Sequence, residues 1–218
     1  MRDLILGGQD GLVNVLGLVL GVASGTADAD VIIIAGLAGT FAESISMGAV
    51  AYTATKAEHD YYRAMMAREL RLMDEDPEGQ RDDIRQIYAR KGFQGDNLEL
   101  IVGIITADRK VWLETMLREE LRLPDHEGVS PWQHALVVGG ASLAGSLVPV
   151  APFFFWSVGM SVILALMASG AVLLAAGIYR ARVTGGRWQP LAAEMLTIGG
   201  LAAAAGYLIG ILLGLGPI

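Results

Sequence analysis

Asp10 and Glu43 are carboxylates set inside apolar runs of the chain, and Met47 follows Glu43 by one helical turn. A carboxylate at membrane depth costs at least ~2.5–3.5 kcal/mol on insertion scales, so such residues mark ion or substrate paths. A carboxylate and a thioether on one helix face narrow the ion to a divalent transition metal, because Mg²⁺ and Ca²⁺ prefer all-oxygen shells. Asp10, Asn14, Gly17 and Gly21 recur at spacings of four, three and four, which places them on one helical face. Thr40, Ser44 and Gly48 accompany Glu43 and Met47. Blander readings stand beside these: Asp10 as a helix cap near the inner end of its span, Glu43 paired with a polar neighbour, Met47 as packing.

The elements that must position these residues are membrane helices. Of 218 residues, 53% are hydrophobic and 28 are Gly, a composition that suits close helix packing in lipid. Five apolar runs read as spans: Gly8 to Gly25, Val31 to Thr53, Gln133 to Val148, Phe154 to Tyr179 and Leu191 to Leu215. Most reach the ~20 residues needed to cross a bilayer core; the third is short and ends at Pro149. The first run has no charged leader beyond Arg2 and contains Asp10 and Asn14, so a signal peptide is not expected. Cysteine is absent, which excludes disulfides and thiolate metal sites.

Charge is concentrated in one insert. Residues 54–131 hold 17 Asp/Glu and 12 Lys/Arg. The predicted organisation is therefore an all-α membrane protein with five transmembrane helices and a cytosolic helical insert between spans two and three. Residues 1–53 carry spans one and two, 54–131 the insert, and 132–218 spans three to five. Lys56, Arg63 and Arg68 follow span two, and Arg180, Arg182 and Arg187 separate spans four and five; the Thr26–Asp30 and Pro149–Pro152 turns have no Lys or Arg. That asymmetry places the N-terminus and the insert inside and the C-terminus outside. There is no basic patch, so a nucleic-acid partner is not expected.

Within the insert, span two should run on to about Leu72. Asp76-Pro77 is a helix start, with an N-cap followed by Pro at the first helical position. That helix should end near Gly92. Asp96 and Asp108 are candidate N-caps for two more helices, and Leu123-Pro124 a stop. Glu58, Tyr62, Met65, Glu69 and Met73 share one helix face, and Trp112, Met116 and Glu120 share another. Acidic residues on a soluble helix are ordinarily solvated, as expected of Glu75 and Glu119, and Met ordinarily fills gaps. His59, His126 and His134 are scattered and read as incidental. In span five, Gly206, Gly210 and Gly214 repeat every four residues, a small-residue face for packing inside the bundle or across a dimer; Glu194 is read as snorkelling to water. No nucleophile–base pair, phosphate loop or cofactor fingerprint is visible, so transport would be secondary and an enzyme has little support.

Several segments together resemble the vacuolar iron transporter family. Arg2-Asp3, Ile5, Gly7 and Asp10-Gly11-Leu12 resemble its opening. Ser46-Met47-Gly48 with Tyr52 and Lys56-Ala57-Glu58 resemble its second span and exit helix, and Trp112-Leu113-Glu114 with Met116, Glu120 and Leu121 the last helix of its insert. Pro149, Pro152-Phe153, Gly199-Gly200 and Ala202–Ala205 fit its later spans. The resemblance implies a homodimer that moves Fe²⁺ or Mn²⁺ out of the cytosol in exchange for protons. It implies a metal path through Asp10 and Met47, and an insert that binds metal through Glu69, Met116 and Glu120, with Asp83 as a conservative match. Plant-type members add a Glu where this chain has Gly39, the acid here being Glu43; Leu72, Gln80 and Leu117 stand at other ligand positions.

The expected function is thus a proton-coupled Fe²⁺/Mn²⁺ transporter, with Zn²⁺ and Co²⁺ as further candidate substrates and no prosthetic group. Asp10, Asn14, Glu43 and Met47 line the path, and Asp10, Glu43, Met47, Glu69, Asp83, Met116 and Glu120 ligate metal. The alternative is a non-transporting membrane metal sensor or buffer. The host membrane would be the cell membrane in a bacterium and the vacuolar membrane in a eukaryote.

Overall fold

The computed structural model of the protein describes residues 2–123 and 129–214, and every regular element among them is helical. The helices are α1 (Arg2–Gly25), α2 (Ala29–Glu75), α3 (Pro77–Arg90), α4 (Gly95–Ala107), α5 (Arg109–Thr115), α6 (Pro131–Val150), α7 (Val158–Thr184) and α8 (Trp188–Leu213). Five of them are long and apolar enough to cross a membrane: α1, α2, α6 with its short 3₁₀ extension Ala151–Phe154, α7 and α8. The chain divides into two compact units, residues 1–52 with 131–218, and residues 53–130.

In the first unit the spans differ from the sequence expectation at their ends. Helix α1 begins at Arg2 rather than Gly8, since Gly7 and Gly8 cost a helix interior only about 1 kcal/mol each. Asp10 therefore lies in the third turn and caps nothing. Helix α6 runs to Val150 with Pro149 inside it: in the last turn a proline removes one backbone bond, and the chain then tightens into the 3₁₀ turn. Helix α7 starts at Val158 instead of Phe154. Phe154, Phe155 and Trp156 form an exposed aromatic turn, and Trp156 is of a type favoured at a membrane–water boundary. Between α1 and α2, the Asp28 carboxylate accepts from the Asp30 N–H at 2.9 Å and closes the turn. The predicted end of the fifth span, Leu215, lies outside the described residues.

Helix α1 is the centre of this unit, packed by α6, α7 and α8. Its contacts with α6 and α8 are backbone against backbone. A Cβ on Gly145 would stand 2.0 Å from the Gly8 carbonyl oxygen, and one on Gly206 would stand 1.9 Å from that of Gly17. The Gly206–Gly210–Gly214 face is thus used inside the chain, against Gly17, Gly21 and Gly25. Leu12, Val15, Leu16, Val19, Ile32 and Phe153 fill the interior. Large apolar side chains point outward instead, Leu212 and Leu213 at 79% and 80% exposure. A surface of that kind on a helical bundle belongs against lipid.

In the second unit, the later part of α2 joins α3, α4 and α5 around Met73, Ile84, Val102, Ile105, Trp112 and Met116. Asp76 caps α3, accepting from the Gly79 N–H at 3.0 Å, with Pro77 at the first position. Asp108 caps α5 through the Lys110 and Val111 N–H groups. Asp96 is not a cap: α4 starts one residue earlier, at Gly95 with φ +57°, and Asp96 sits in its first turn. Helix α5 ends in a π-turn, Met116–Glu120, closed by the Leu121 N–H on the Met116 carbonyl at 3.1 Å. Arg122 then takes φ +51°, so the chain has already left the helix before Pro124, which lies outside the described residues together with His126. Glu119 is not merely solvated but pairs with Lys91 at 2.6 Å.

Candidate metal sites

The membrane site is built by two spans. Asp10 and Asn14 occupy one face of α1, and Glu43 faces them from α2. The Asn14 amide donates to Glu43 Oε1 at 3.1 Å, and the Asp10 carboxyl lies within hydrogen-bonding reach of the same group. Two carboxyl groups this close repel each other when both are ionised. Asp10 and Asn14 are exposed in the single chain and Glu43 and Met47 half-buried. The arrangement is therefore open on the protein surface, not enclosed among the five spans.

Packing explains why the acids stand where they do. Gly11 presses on α6: a Cβ there would lie 2.5 Å from both the Ser142 carbonyl oxygen and the Ser146 hydroxyl. Helix α1 is held by that contact on the residue next to Asp10. Gly39 faces Leu18, whose Cδ2 would be 2.4 Å from an added Cβ. The carboxylate of this segment stands one turn on, at Glu43. Gly48 abuts the Ala135 carbonyl, and Gly139 the Ser44 carbonyl, so α6 backs α2 beside Met47. Asn14 also ends a groove of about 650 Å³ along α1 and α8, floored by Gly17, Gly21 and Gly206.

The insert brings a second set together. Glu69 is 2% exposed, and its Oε2 has no hydrogen-bond partner. The Gln80 amide donates to this carboxylate while its own Oε1 is buried without a partner. Asp83, half-buried, and Glu120, which still reaches water, are near enough for their charges to act on one another and on Glu69. Burial pushes the Glu69 carboxyl above the ordinary Glu range, against the pull of the Arg68 charge and the Gln80 bond. Glu120 is also raised, first by partial burial and then by Glu69 and Asp83. Met116 is fully buried, four residues before Glu120 in the π-turn.

Carboxylates, an amide oxygen and a thioether are a donor set for a transition-metal dication. Among the described residues no group of three His, Cys, Asp or Glu side chains is close enough to hold an ion as it stands, so an ion would have to draw these side chains in. Gln80 stands at one of the ligand positions the family resemblance implies. Its inward position was legible in one respect: Gln80, Asp83, Ile84 and Ile87 share a face of α3, and Gln80, Ile84 and Ile87 are buried. In the other unit, Arg180 reaches Glu194 at 3.4 Å, so Glu194 has a protein partner.

The model of the VIT family matches residues 1–211. The chain is 32% identical over 208 residues to vacuolar iron transporter 1 of Oryza sativa subsp. japonica, covering 95% of this chain and 82% of that protein. It is 29% identical over 211 residues to vacuolar iron transporter 1 of Arabidopsis thaliana, with 95% and 83% covered. Its identity to protein CCC1 of Saccharomyces cerevisiae is 28% over 223 residues, with 98% and 69% covered.

Proposed function

The chain belongs to the VIT family, and on that premise we propose that it is a proton-coupled transporter carrying Fe²⁺ or Mn²⁺ out of the cytosol. The observation that carries this reading is the meeting of Asp10, Asn14 and Glu43 between α1 and α2. A dication and a proton compete for the same two carboxyl groups, because a metal charge nearby favours their ionised form. Loading a metal expels the proton, and a proton arriving from the other side releases the metal. Asn14 holds the Glu43 side chain toward α1. Met47 adds a soft donor one turn away and biases the site against Mg²⁺ and Ca²⁺.

The site's exposure on the single chain supports a homodimer, in which a second copy closes the path over Asp10 and Asn14. The insert captures the ion on the cytosolic side through Glu69, Asp83, Met116 and Glu120, with the N-terminus on that side and the C-terminus across the membrane. The orphan oxygen of Glu69 equally supports the second reading, a membrane metal sensor or buffer that binds without transporting. Uptake of Fe²⁺, Mn²⁺, Co²⁺ and Zn²⁺ into proteoliposomes under a pH gradient separates the two. Transport should be driven by the gradient and lost in Asp10→Asn, which keeps the residue's size and removes its charge. Binding with no gradient-driven uptake would leave the sensor; wild-type rates from Asp10→Asn would remove Asp10 from the path.

A further inference from the structure

Outside residues 54–131 the sequence has four Lys or Arg, and three of them, Arg180, Arg182 and Arg187, fall within eight residues where α7 ends and α8 begins. Glu194 is the acid on the facing helix. A groove of about 590 Å³ opens here among α1, α7 and α8. Its walls are mainly apolar, from Leu6, Val183, Met195 and Ile198, and its charged members are Arg180 and Glu194.

Arg180 is not consumed by its partner. The pair is long, 3.4 Å, and its side chains are 42% and 49% exposed, so it contributes at most about 1 kcal/mol. A guanidinium has five N–H donors in a planar fork matched to phosphate, and the Arg180–Glu194 contact engages a single nitrogen. The nearby Thr184 hydroxyl already donates to the Arg180 carbonyl at 2.9 Å. A free anion would make no use of the apolar walls, whereas an acyl chain would. The groove's size is that of a small-ligand pocket. Basic pockets between membrane helices take anionic headgroups.

We propose that this groove seats one anionic phospholipid, with an acyl chain against Leu6, Val183, Met195 and Ile198 and its phosphate on Arg180. The lipid would brace the first turns of α1, since Leu6 and Gln9 line the groove and Asp10 follows Gln9. The test uses the full chain in detergent, following thermal unfolding during titration with phosphatidylglycerol or with phosphatidylcholine of the same acyl chains. Phosphatidylglycerol should raise the midpoint saturably and phosphatidylcholine should not. Arg180→Gln should weaken the apparent affinity about fivefold, the effect of one cation near an anionic headgroup. Glu194→Gln, which breaks the same ion pair but keeps the guanidinium, should retain or strengthen the response. Ile198→Trp, which fills the groove without changing charge, should abolish it and reads the site independently if Arg180→Gln fails to fold. Equal response to both lipids, wild-type affinity in Arg180→Gln, or full stabilisation by inorganic phosphate alone would each overturn the proposal.

Discussion

Replacing Glu69 with Gln should make the metal-free insert more stable and remove the extra stability that metal gives it. In the free protein Glu69 buries a carboxylate with one oxygen unpartnered. An unmade hydrogen bond of that kind costs roughly 1–3 kcal/mol, and more when the group is charged. Glu69→Gln removes the charge at constant shape and adds an amide donor beside Gln80, whose Oε1 is buried without a partner. The gain of about 1–3 kcal/mol is read as exchange of the α3 and α5 amides in the full chain, slower by roughly five- to a hundred-and-fiftyfold. With Mn²⁺ at a hundred times its dissociation constant, the wild-type protein gains about 2.7 kcal/mol from binding, a term the variant loses. The two proteins should therefore converge or change order between metal-free and metal-saturated conditions. Faster exchange of the metal-free variant would show that the Glu69 charge is already compensated. Full metal protection in the variant would show that Glu69 is not a ligand.

Other perturbations have equally definite outcomes. Met47→Leu, nearly isosteric, should leave folding intact and narrow the preference of transport for transition metals over Mg²⁺; unchanged selectivity in competition uptake would reduce the thioether to packing. Metal binding by the insert should weaken as pH falls, starting above the ordinary Glu value of 4.5 because Glu69 and Glu120 are both raised. The same shifts make the metal-free insert hold protons more tightly folded than unfolded, so its stability should be greatest at low pH and decline as pH rises through the folded values; titration calorimetry and amide exchange from pH 4 to 7 would show both trends or refute them. Gly206→Ala places a Cβ 1.9 Å from the Gly17 carbonyl oxygen and should destabilise the α1–α8 contact by about 1–3 kcal/mol, seen as a lower unfolding midpoint in detergent; an unchanged midpoint would mean the helices can part without loss.

The five spans were legible because apolar runs of that length have few other fates, and Asp76-Pro77 and Asp108 announced their helices by cap chemistry. The helix ends were less so. Pro149 reads as a stop, yet a proline in a last turn is tolerated, and Asp96 is no cap because α4 opens one residue sooner, at Gly95 after Gln94 in the cap position. Spacing put Asp10 and Asn14 on one face, but periodicity along α1 carries no information about its mate 29 residues on, and the Asn14–Glu43 bond is visible only in three dimensions. For the same reason the glycines of spans one and five could not be assigned to each other, nor Gln80 to the orphaned carboxylate of Glu69.

The seam between α1 and α8 has a property that follows from its repetition. Gly17, Gly21 and Gly25 oppose Gly206, Gly210 and Gly214 at intervals of four residues. Such a ladder has translational symmetry: sliding one helix by a repeat, about 6 Å at 1.5 Å per residue, brings each rung to an equivalent seat. Interlocked leucines would forbid the slip, whereas glycines offer no obstacle along the axis. Register must then come from what does not repeat, and the Ser24 hydroxyl, donating to the Tyr207 carbonyl at 2.9 Å, is such a pin. The seam resists being pulled apart along its whole length, and sliding would break the Ser24 bond and unseat Leu12 and Val13 from Met195.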